Sequence, residues 1–432
     1  MTNPNTLSLP GAHNITRVTL ENGTTVLVYP NYAAQSVVLS GSLRSGSLYE
    51  DPVDSGLAAL TASGLMRGAA RRDFDAINIA LEDNGADLDV SSGVHRTGFY
   101  GKALAEDLPL LVDLLADVLR EPTFPDVQVE RLRGEIITGL KIRQQDTRYR
   151  ANRAFSETLY PPEHPYHRSV RGTLETVPTL TTDKLRAFHR RTYGPRDMVV
   201  VVVGAVEPDT AIKTVRARFA DWQNADQPAE APLPPLPPLV ETRRAFVPLP
   251  GKTQSDLILG VIGPPRFAAD YQAANLANSV LGQFGMMGRI GQSVREELGL
   301  AYYAGSSLDG GLGPGPWSVS AGVNPANVDL AIERIVDELR RIIDEPVSEE
   351  DLQDVQSYYT GHLPLQLESN EGIAGTLVNI ETYGLGLDYL VNYRATIRAL
   401  TRDDLLQAAR RYLNPDALVI AVAGPDGAES AT

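Results

Sequence analysis

Hydrophobic and polar positions alternate in the short stretches that begin each half of the chain. The stretches "TTVLVYPNYAAQSVVLSGSL" and "TQSDLILGVIGPP" are rich in β-branched residues and predict strands. Apolar positions then recur at helical spacing and predict helices over residues 55–67, 73–83, 105–120, 270–282 and 325–343. Because strands and helices mix without strict βαβ alternation, the pattern favours an α+β fold over a doubly wound parallel sheet.

The two halves of the chain also end on the same pattern. The segments "LRAFHRRTYGPRDMVVVVVGAVEPD" and "LLQAARRYLNPDALVIAVAGPDGAE" both run through an apolar helix, Arg-Arg, a tyrosine, a proline, a buried strand and a glycine. Tyr193 and Tyr412 occupy equivalent places in them. This similarity predicts that the chain arose by duplication of one domain of about 210 residues.

A proline-rich segment, "NADQPAEAPLPPLPPLVETRRAF", separates the two repeats. Its prolines favour extended polyproline conformation and end helices and central strands. The sequence therefore predicts an N-terminal domain over residues 1–226, a linker over 227–245 and a C-terminal domain over 246–432.

Charge and composition narrow the class of function. The 432 residues carry a net charge of −15, which disfavours binding to nucleic acid and to anionic membranes. The sequence contains no cysteine, so it has no disulfide, no thiolate nucleophile and no Cys-ligated zinc. The chain lacks a signal-peptide pattern, and its longest apolar run, "MVVVVVGAV", is too short to span a bilayer. We therefore predict a soluble cytoplasmic protein.

The histidines do not form a recognisable catalytic motif. "EHPYH" is interrupted by proline and predicts a structural loop, and His189 is predicted to be a partly exposed helix residue. The sequence contains no HxxEH, HExxH, G-x-S-x-G, P-loop or G-x-G-x-x-G motif. An independent hydrolase with its own unrelated site is therefore the least favoured interpretation.

The segment "LGQFGMMGRIGQSVREELGLAY" has the most unusual composition, with a glycine at every third position from 282 to 291. It predicts a short helix that Gly299 ends, followed by a strand. Arg295 and Tyr302 then lie on either side of the turn, where a fixed cation and a phenolic donor can hold a carbonyl oxygen. The alternative is a loop ahead of a helix, with a surface Arg–Glu pair and a core tyrosine.

Together these segments resemble the pitrilysin/insulinase family of zinc metallopeptidases, in its small two-domain bacterial and mitochondrial-processing form. The resemblance implies two homologous α/β-sandwich domains, each a mixed sheet flanked by helices, joined by the linker in a clam-like arrangement. The family's "G-L-A-H-F-L-E-H-M" helix carries two zinc ligands and a glutamate base. The matching "GLAALTASGL" has Ala59 and Ser63 at the ligand positions and Ala62 at the base position. The third-ligand region corresponds to Thr138 and Gly139, so the zinc site is predicted to be vacant.

The resemblance also implies a set of substrate-binding residues. "REELGLAY" matches the family's "R-E-x-x-G-L-A-Y" at each fixed position, which implies that Arg295 and Tyr302 contact the substrate carbonyl. "NGADLDVSSGVHRT" resembles the family's edge strand, which pairs with an extended peptide. The implied substrate-binding positions are Gly285, Gly288 and Arg289 in the glycine-rich loop and Ala86, Asp87, Leu88, Asp89 and Val90 in the edge strand.

These expectations describe one subunit of a heterodimeric metallopeptidase. This chain would bind no cofactor, while a paralogous partner bearing HxxEH would carry the zinc, and unfolded peptides would be the substrates. The main alternative is a non-enzymatic homodimer that binds peptides or scaffolds an assembly.

Overall fold

The computed structural model describes residues 9–283 and 288–425. Its strands are β1 (Thr16–Thr19), β2 (Thr25–Pro30), β3 (Ser36–Leu43), β4 (Asp87–Ser92), β5 (Thr97–Leu104), β6 (Val199–Gly204), β7 (Arg243–Pro248), β8 (Ser255–Ile262), β9 (Ala301–Gly310), β10 (Pro314–Val323) and β11 (Val419–Gly424).

Its α-helices are α1 (Leu57–Leu65), α2 (Phe74–Glu82), α3 (Leu108–Arg120), α4 (Asp126–Arg143), α5 (Thr147–Leu159), α6 (Thr182–Thr192), α7 (Pro208–Phe219), α8 (Tyr271–Gly282), α9 (Gly288–Ile290), α10 (Val328–Asp344), α11 (Glu349–Gln366), α12 (Asn370–Thr382), α13 (Tyr389–Ala399) and α14 (Arg402–Tyr412). A π-helix, Gly291–Glu297, directly follows α9. In the part of the chain that the structure describes, no helix combines the length and apolar character needed to cross a membrane.

The strands form two mixed sheets flanked by helices, which confirms the predicted fold class. The first sheet has the order β1-β2-β6-β3-β5-β4 and the second has the order β7-β11-β8-β10-β9. The pairs β2–β6 and β7–β11 are parallel, and the remaining neighbours are antiparallel. When β1 is set aside, each sheet has five strands. If these are numbered from 1 to 5 along the chain, both sheets have the order 1-5-2-4-3. This shared topology supports the predicted duplication.

The two repeated apolar strands form the interior of their sheets. All six residues of β6 and all six of β11 are buried. Each lies between a parallel and an antiparallel neighbour, so neither has a free edge. Near-continuous runs of valine, isoleucine and alanine suit strands that are covered on both faces.

One compact unit, called unit 1, comprises residues 9–138, 169–232 and 363–394. Helix α12 covers its sheet, with Ile373 and Leu377 packed in one hydrophobic cluster with Val38 and Val201. Helices α1, α3, α6 and α7 complete the layer around β2, β4 and β5. The segment that carries α12 lies more than 150 residues beyond the last strand of this sheet.

The other compact unit, unit 2, comprises residues 139–168, 233–362 and 395–425. Helix α5 covers its sheet, with Ala154 and Phe155 clustered with Ile258 and Ala421. Helices α8, α10 and α14 pack together, and α8 lies along β9. Each sheet is thus covered by one helix that the opposite half of the sequence supplies. Between α7 and β7, where the linker was predicted, the chain forms no helix or strand.

Candidate functional site

Arg295 and Tyr302 lie on consecutive elements of unit 2, the π-helix and β9. Gly299 joins these elements at φ +60°, a conformation that glycine adopts without strain. The amide N–H groups of Gly299 and Leu300 donate to the carbonyls of Arg295 and Val294 at 3.1 and 3.0 Å, which closes the helix end. The predicted helix, its glycine stop and the following strand are confirmed, although the helix is of the π type.

Both side chains of the Arg–Tyr pair are accessible to a ligand. Tyr302 is 66% exposed, and the Arg295 side chain is 36% exposed. Among the residues that the structure describes, the acidic partner of the Arg295 guanidinium is Glu296, at 3.6 Å, which is a loose surface contact. Because π-helical turns are rare and occur frequently at functional sites, this placement makes the pair a candidate for binding a polar group. Direct contact with a substrate carbonyl stays a prediction.

The glycine-rich loop is only partly described. Gly285 lies outside the described residues. Gly288 has φ +63°, and an added Cβ would lie 2.6 Å from the Val280 carbonyl oxygen and 2.8 Å from the Gly282 nitrogen. Close backbone packing therefore explains the glycine at position 288 without a ligand.

Arg289 is directed into the protein rather than toward solvent. Its side chain is 13% exposed, and its guanidinium donates to Asp351 on α11 at 3.1 Å. The pKa of Asp351 is lowered, because the hydrogen bonds from Arg289 and Ser348 outweigh burial, which acts in the opposite direction. This geometry favours Arg289 as the residue that joins α9 to α11.

Strand β4 is the edge of its sheet, as predicted. It pairs with β5 alone among the described strands, in the register Asp89 opposite Tyr100. Leu88 and Val90 point into the core, while Asp87 and Asp89 are exposed, and Ala86 is buried just before the strand. The outer backbone groups of an edge strand can pair with another chain. Peptide addition to β4 stays a prediction.

Helix α1 carries the positions that correspond to zinc ligands. The Glu50 carboxylate caps the helix by accepting from the amides of Gly56 and Ala58 at 3.2 and 2.9 Å. Ala59 and Ser63, one turn apart, are partly exposed on the same side of the helix, whereas Ala62 is fully buried.

These residues do not fit a zinc ion. Zinc requires thiolate, imidazole or carboxylate ligands, and the side chains at positions 59 and 63 are a methyl group and a hydroxyl. On α4, Gly139 has no side chain, and Thr138 donates its hydroxyl to the carbonyl of Gly134 at 2.9 Å. No group of three or more His, Cys, Asp or Glu that could hold a metal occurs within residues 9–283 and 288–425.

Two family models match the chain in tandem. The model described as Insulinase (Peptidase family M16) matches residues 26–172. The model described as Peptidase M16 inactive domain matches residues 179–359. The chain belongs to the M16 peptidase family. The predicted resemblance to pitrilysin and insulinase is confirmed.

Relatives named as zinc proteases match nearly the whole chain. An uncharacterized zinc protease of Streptomyces coelicolor is 27% identical over 406 residues, covering 93% of this chain and 88% of the relative. An uncharacterized zinc protease of Mycobacterium tuberculosis strain H37Rv is 27% identical over 414 residues, covering 96% and 94%. The similarity is therefore to whole proteins of this size.

Solved M16-type structures share the fold. A peptidase M16 inactive domain from Pseudomonas fluorescens has a TM-score of 0.89 at 25% identity, covering 96% of this chain and 99% of that chain. A protease from Helicobacter pylori has a TM-score of 0.88 at 20% identity, covering 97% and 100%. The second match bears on the fold alone.

Two histidines of this M16 chain, His164 and His189, have structural roles. His164, in the predicted loop, stacks on Tyr160 with ring centroids 5.1 Å apart, and its Nδ1 accepts from the Tyr166 amide. The prediction for His189 is wrong, because that side chain is buried in unit 1. Its Nε2 lies 2.8 Å from the Leu119 carbonyl oxygen, and its ring packs on Tyr193. Helix periodicity located the residue but not the helix α3 that covers it.

A small polar cavity in unit 1 is lined by an ion-pair network. Its volume is about 250 Å³, and Asp117 at its base is 4% exposed and pairs with Arg71, Arg72 and Arg218. Asp113 pairs with the same three arginines. Because both aspartates and all three arginines already have ion-pair partners, a structural role accounts for this cavity.

A larger polar cavity in unit 2 contains no residue that the sequence predicted. Its walls come from α5, β8, β9 and β10, and include Arg148, Tyr303 and Asp309. No sequence motif joins these positions, since α5 lies about 150 residues before β9. Only the packing of α5 on the second sheet brings them together.

Proposed function

We propose that this chain is the zinc-free subunit of a heterodimeric M16 metallopeptidase. It supplies Arg295, Tyr302 and half of a peptide-binding chamber, while a paralogous HxxEH-containing subunit supplies the zinc site. The observation that carries the proposal is the contrast between two regions. Positions 59, 62, 63 and 139 offer no metal ligand, whereas the Arg–Tyr pair is complete and solvent-accessible.

The Arg–Tyr pair acts as a donor site for the substrate. The guanidinium of Arg295 and the phenolic O–H of Tyr302 both donate to the oxygen of a peptide carbonyl, and they stabilise the negative charge that develops there. Strand β4 contributes a sequence-independent surface, because an added peptide strand pairs with backbone groups. Both contributions suit extended, unfolded peptides. The absence of cysteine is consistent with a cytoplasmic location.

The proposal is tested by affinity purification of the tagged chain from its native cells, with mass spectrometry of co-purifying proteins. We expect a stoichiometric partner of similar size that contains HxxEH. The reconstituted pair should cleave unfolded peptides, and neither chain should do so alone. Recovery of the chain only as a zinc-free homodimer would contradict the proposal.

A kinetic variant then tests the role of the phenol. Tyr302→Phe should lower kcat of the complex by about 10²–10³, the usual effect of removing one oxyanion donor. Tyr32→Phe is a matched control, because Tyr32 is also an exposed tyrosine but lies in unit 1. An unchanged kcat for Tyr302→Phe would exclude the proposed role.

The free edge of β4 also favours a second candidate, a homodimer that binds extended peptides without cleaving them. Strand addition needs backbone groups and no metal. Stoichiometric peptide binding by the chain, with no HxxEH partner and no cleavage, would favour this candidate.

A further inference from the structure

The larger polar cavity in unit 2 has the size and shape of a ligand site. Its volume is about 480 Å³, within the range of roughly 300–1,000 Å³ typical of ligand pockets. It runs between α5 and the face of the sheet formed by β9 and β10. We call it the serine trench and define it by Arg148, Asn152, Ser307, Asp309, Ser318 and Ser320.

The floor of the serine trench is built from small residues at paired positions. Gly305 lies opposite Ser320, and Ser307 lies opposite Ser318. Because alternate residues of a strand point to one face, these four positions line the same side of the sheet. Small side chains leave space above the strands, and their hydroxyl groups offer both donors and acceptors.

One end of the serine trench carries a fixed cation. The Arg148 guanidinium stacks over the Tyr303 ring at 4.6 Å. The Tyr303 hydroxyl donates to Asp256 at 2.5 Å, and Asp256 is buried and also accepts from Gln254 and Thr147. Tyr303 is therefore held in place, and it orients the guanidinium that lies on its face.

Arg148 has no acidic side chain as an ion-pair partner within the described residues. The nearby Asp146 carboxylate caps α5 by accepting from the Tyr149 amide at 2.6 Å. Asp256 is engaged by its three donors. The guanidinium edge is consequently available to an external acceptor, and a carboxylate matches its fork geometry best.

The other end of the serine trench carries a carboxylate. Asp309 lies six residues beyond Tyr303 on β9, which places it about 20 Å further along the strand. The residue is exposed, although desolvation by the surrounding protein still raises its pKa, and none of the described residues supplies it with a hydrogen bond or an ion pair. The carboxylate is therefore available to a cationic group of a ligand.

The equivalent position in unit 1 is closed by an ion pair. Helices α5 and α12 each have 13 residues and cover equivalent sheets, and their second residues are Arg148 and Glu371. Glu371 pairs with Lys102 on β5. The repeats thus carry opposite charges at this position, and only the charge in unit 2 is left without a partner among the described residues.

We propose that the serine trench binds an extended peptide segment of about six residues that carries a carboxylate at one end and an amine or other basic group at the other. Six extended residues span about 20 Å, which matches the separation of the two charged ends. The carboxylate pairs with Arg148 and the cation with Asp309. Naming the ligand as a peptide rests on the proposed function, whereas the charge pattern rests on the serine trench alone.

The test is calorimetric titration of the purified full-length chain with end-blocked hexapeptides. Lys-Ala₄-Glu should bind about tenfold tighter than Ala₆, Lys-Ala₄-Lys or Glu-Ala₄-Glu. Ala₆ with free ends distinguishes recognition of the charged chain termini from recognition of charged side chains. If it binds as tightly as blocked Lys-Ala₄-Glu, the trench recognises chain termini, and if it binds as weakly as blocked Ala₆, the trench recognises side chains.

Charge-swap variants remove the ambiguity of a folding defect. Arg148→Glu should shift the preference to Lys-Ala₄-Lys, and Asp309→Lys should shift it to Glu-Ala₄-Glu. The double variant should again prefer Lys-Ala₄-Glu, because both ends have exchanged charge and the peptide binds in the opposite direction. Equal binding of all peptides by the wild-type chain, or an unchanged preference in either single variant, would overturn the inference.

The failure of this inference is distinguishable from failure of the proposed function. If Tyr302→Phe slows a zinc-bearing complex while the charge swaps leave peptide preference unchanged, the inference alone fails. If the charge preference holds but no HxxEH partner exists, the proposed function alone fails.

Discussion

The buried imidazole of His189 predicts a specific dependence of stability on pH. Burial lowers its pKa from 6.5 to about 4, and the charge of Arg190 acts in the same direction. The hydrogen bond to the Leu119 carbonyl acts in the opposite direction and is outweighed. The folded protein therefore keeps His189 neutral at pH values where the unfolded chain protonates it.

The sign and size of the effect follow from proton linkage. Between pH 6.5 and about 4 the unfolded state binds more protons at this site, so the free energy of unfolding falls as the pH falls. The folded-state pKa is lower by about 2.5 units, and each unit is worth about 1.4 kcal/mol. His189 should therefore account for about 3 kcal/mol of lost stability at pH 4, relative to pH 7.

Urea unfolding of the wild type and His189→Gln, at pH values from 7 to 4, measures this contribution. Glutamine retains an N–H donor for the Leu119 carbonyl and does not titrate. At pH 7 the variant should be less stable, because it loses the ring contacts to Tyr193 and Phe124. Between pH 7 and pH 4 it should lose about 3 kcal/mol less than the wild type. Carboxylates that titrate in this window cancel in the difference, so parallel curves would refute the reasoning.

Two further predictions concern particular packing and charge arrangements. Gly288→Ala should destabilise unit 2 more than Gly299→Ala, because both have positive φ, worth about 1–2 kcal/mol for a side chain, but only the Cβ at 288 meets backbone atoms. Calorimetric melting checks this, and equal losses would contradict it. Asp117→Ala should cost about 1.5–3 kcal/mol, because a carboxylate that is only 4% exposed loses its charge-assisted hydrogen bonds while Asp113 still pairs with the same arginines. Asp221→Ala removes a 74% exposed partner of Arg120 and should cost under about 1 kcal/mol. Urea unfolding measures both aspartate variants, and similar losses in the two would show that burial is not decisive.

Local pattern predicted the elements and the repeat well. The predicted helix over residues 73–83 is α2, and the valine run after Tyr193 is the buried strand β6. Gly299 ends the helix that carries Arg295, as its position indicated. These features depend on residues close in sequence, where periodicity and backbone preference act directly.

Features that depend on packing between distant segments were not predictable in the same way. The exchange of α5 and α12 between the sheets leaves no local signal, since either helix would look amphipathic against either sheet. His189 was misassigned because the periodicity of α6 does not reveal that α3 packs over that face. The serine trench was missed because Arg148 reaches Tyr303 only after α5 docks on the second sheet.

The surroundings of α1 indicate that substitutions in this helix would not readily restore a zinc site in this chain. Ala59 and Ser63 have some exposed surface, so side chains there can be enlarged, but Ala62 has none. A carboxylate at position 62 would lose its hydration without a partner, which costs several kcal/mol or raises its pKa until it is protonated. Gly139 would still contribute no ligand, although an added Cβ there meets no neighbouring atom. Substitution within α1 alone would therefore give neither a third ligand nor an ionised base. Under the proposed function, the metal site must therefore come from the partner.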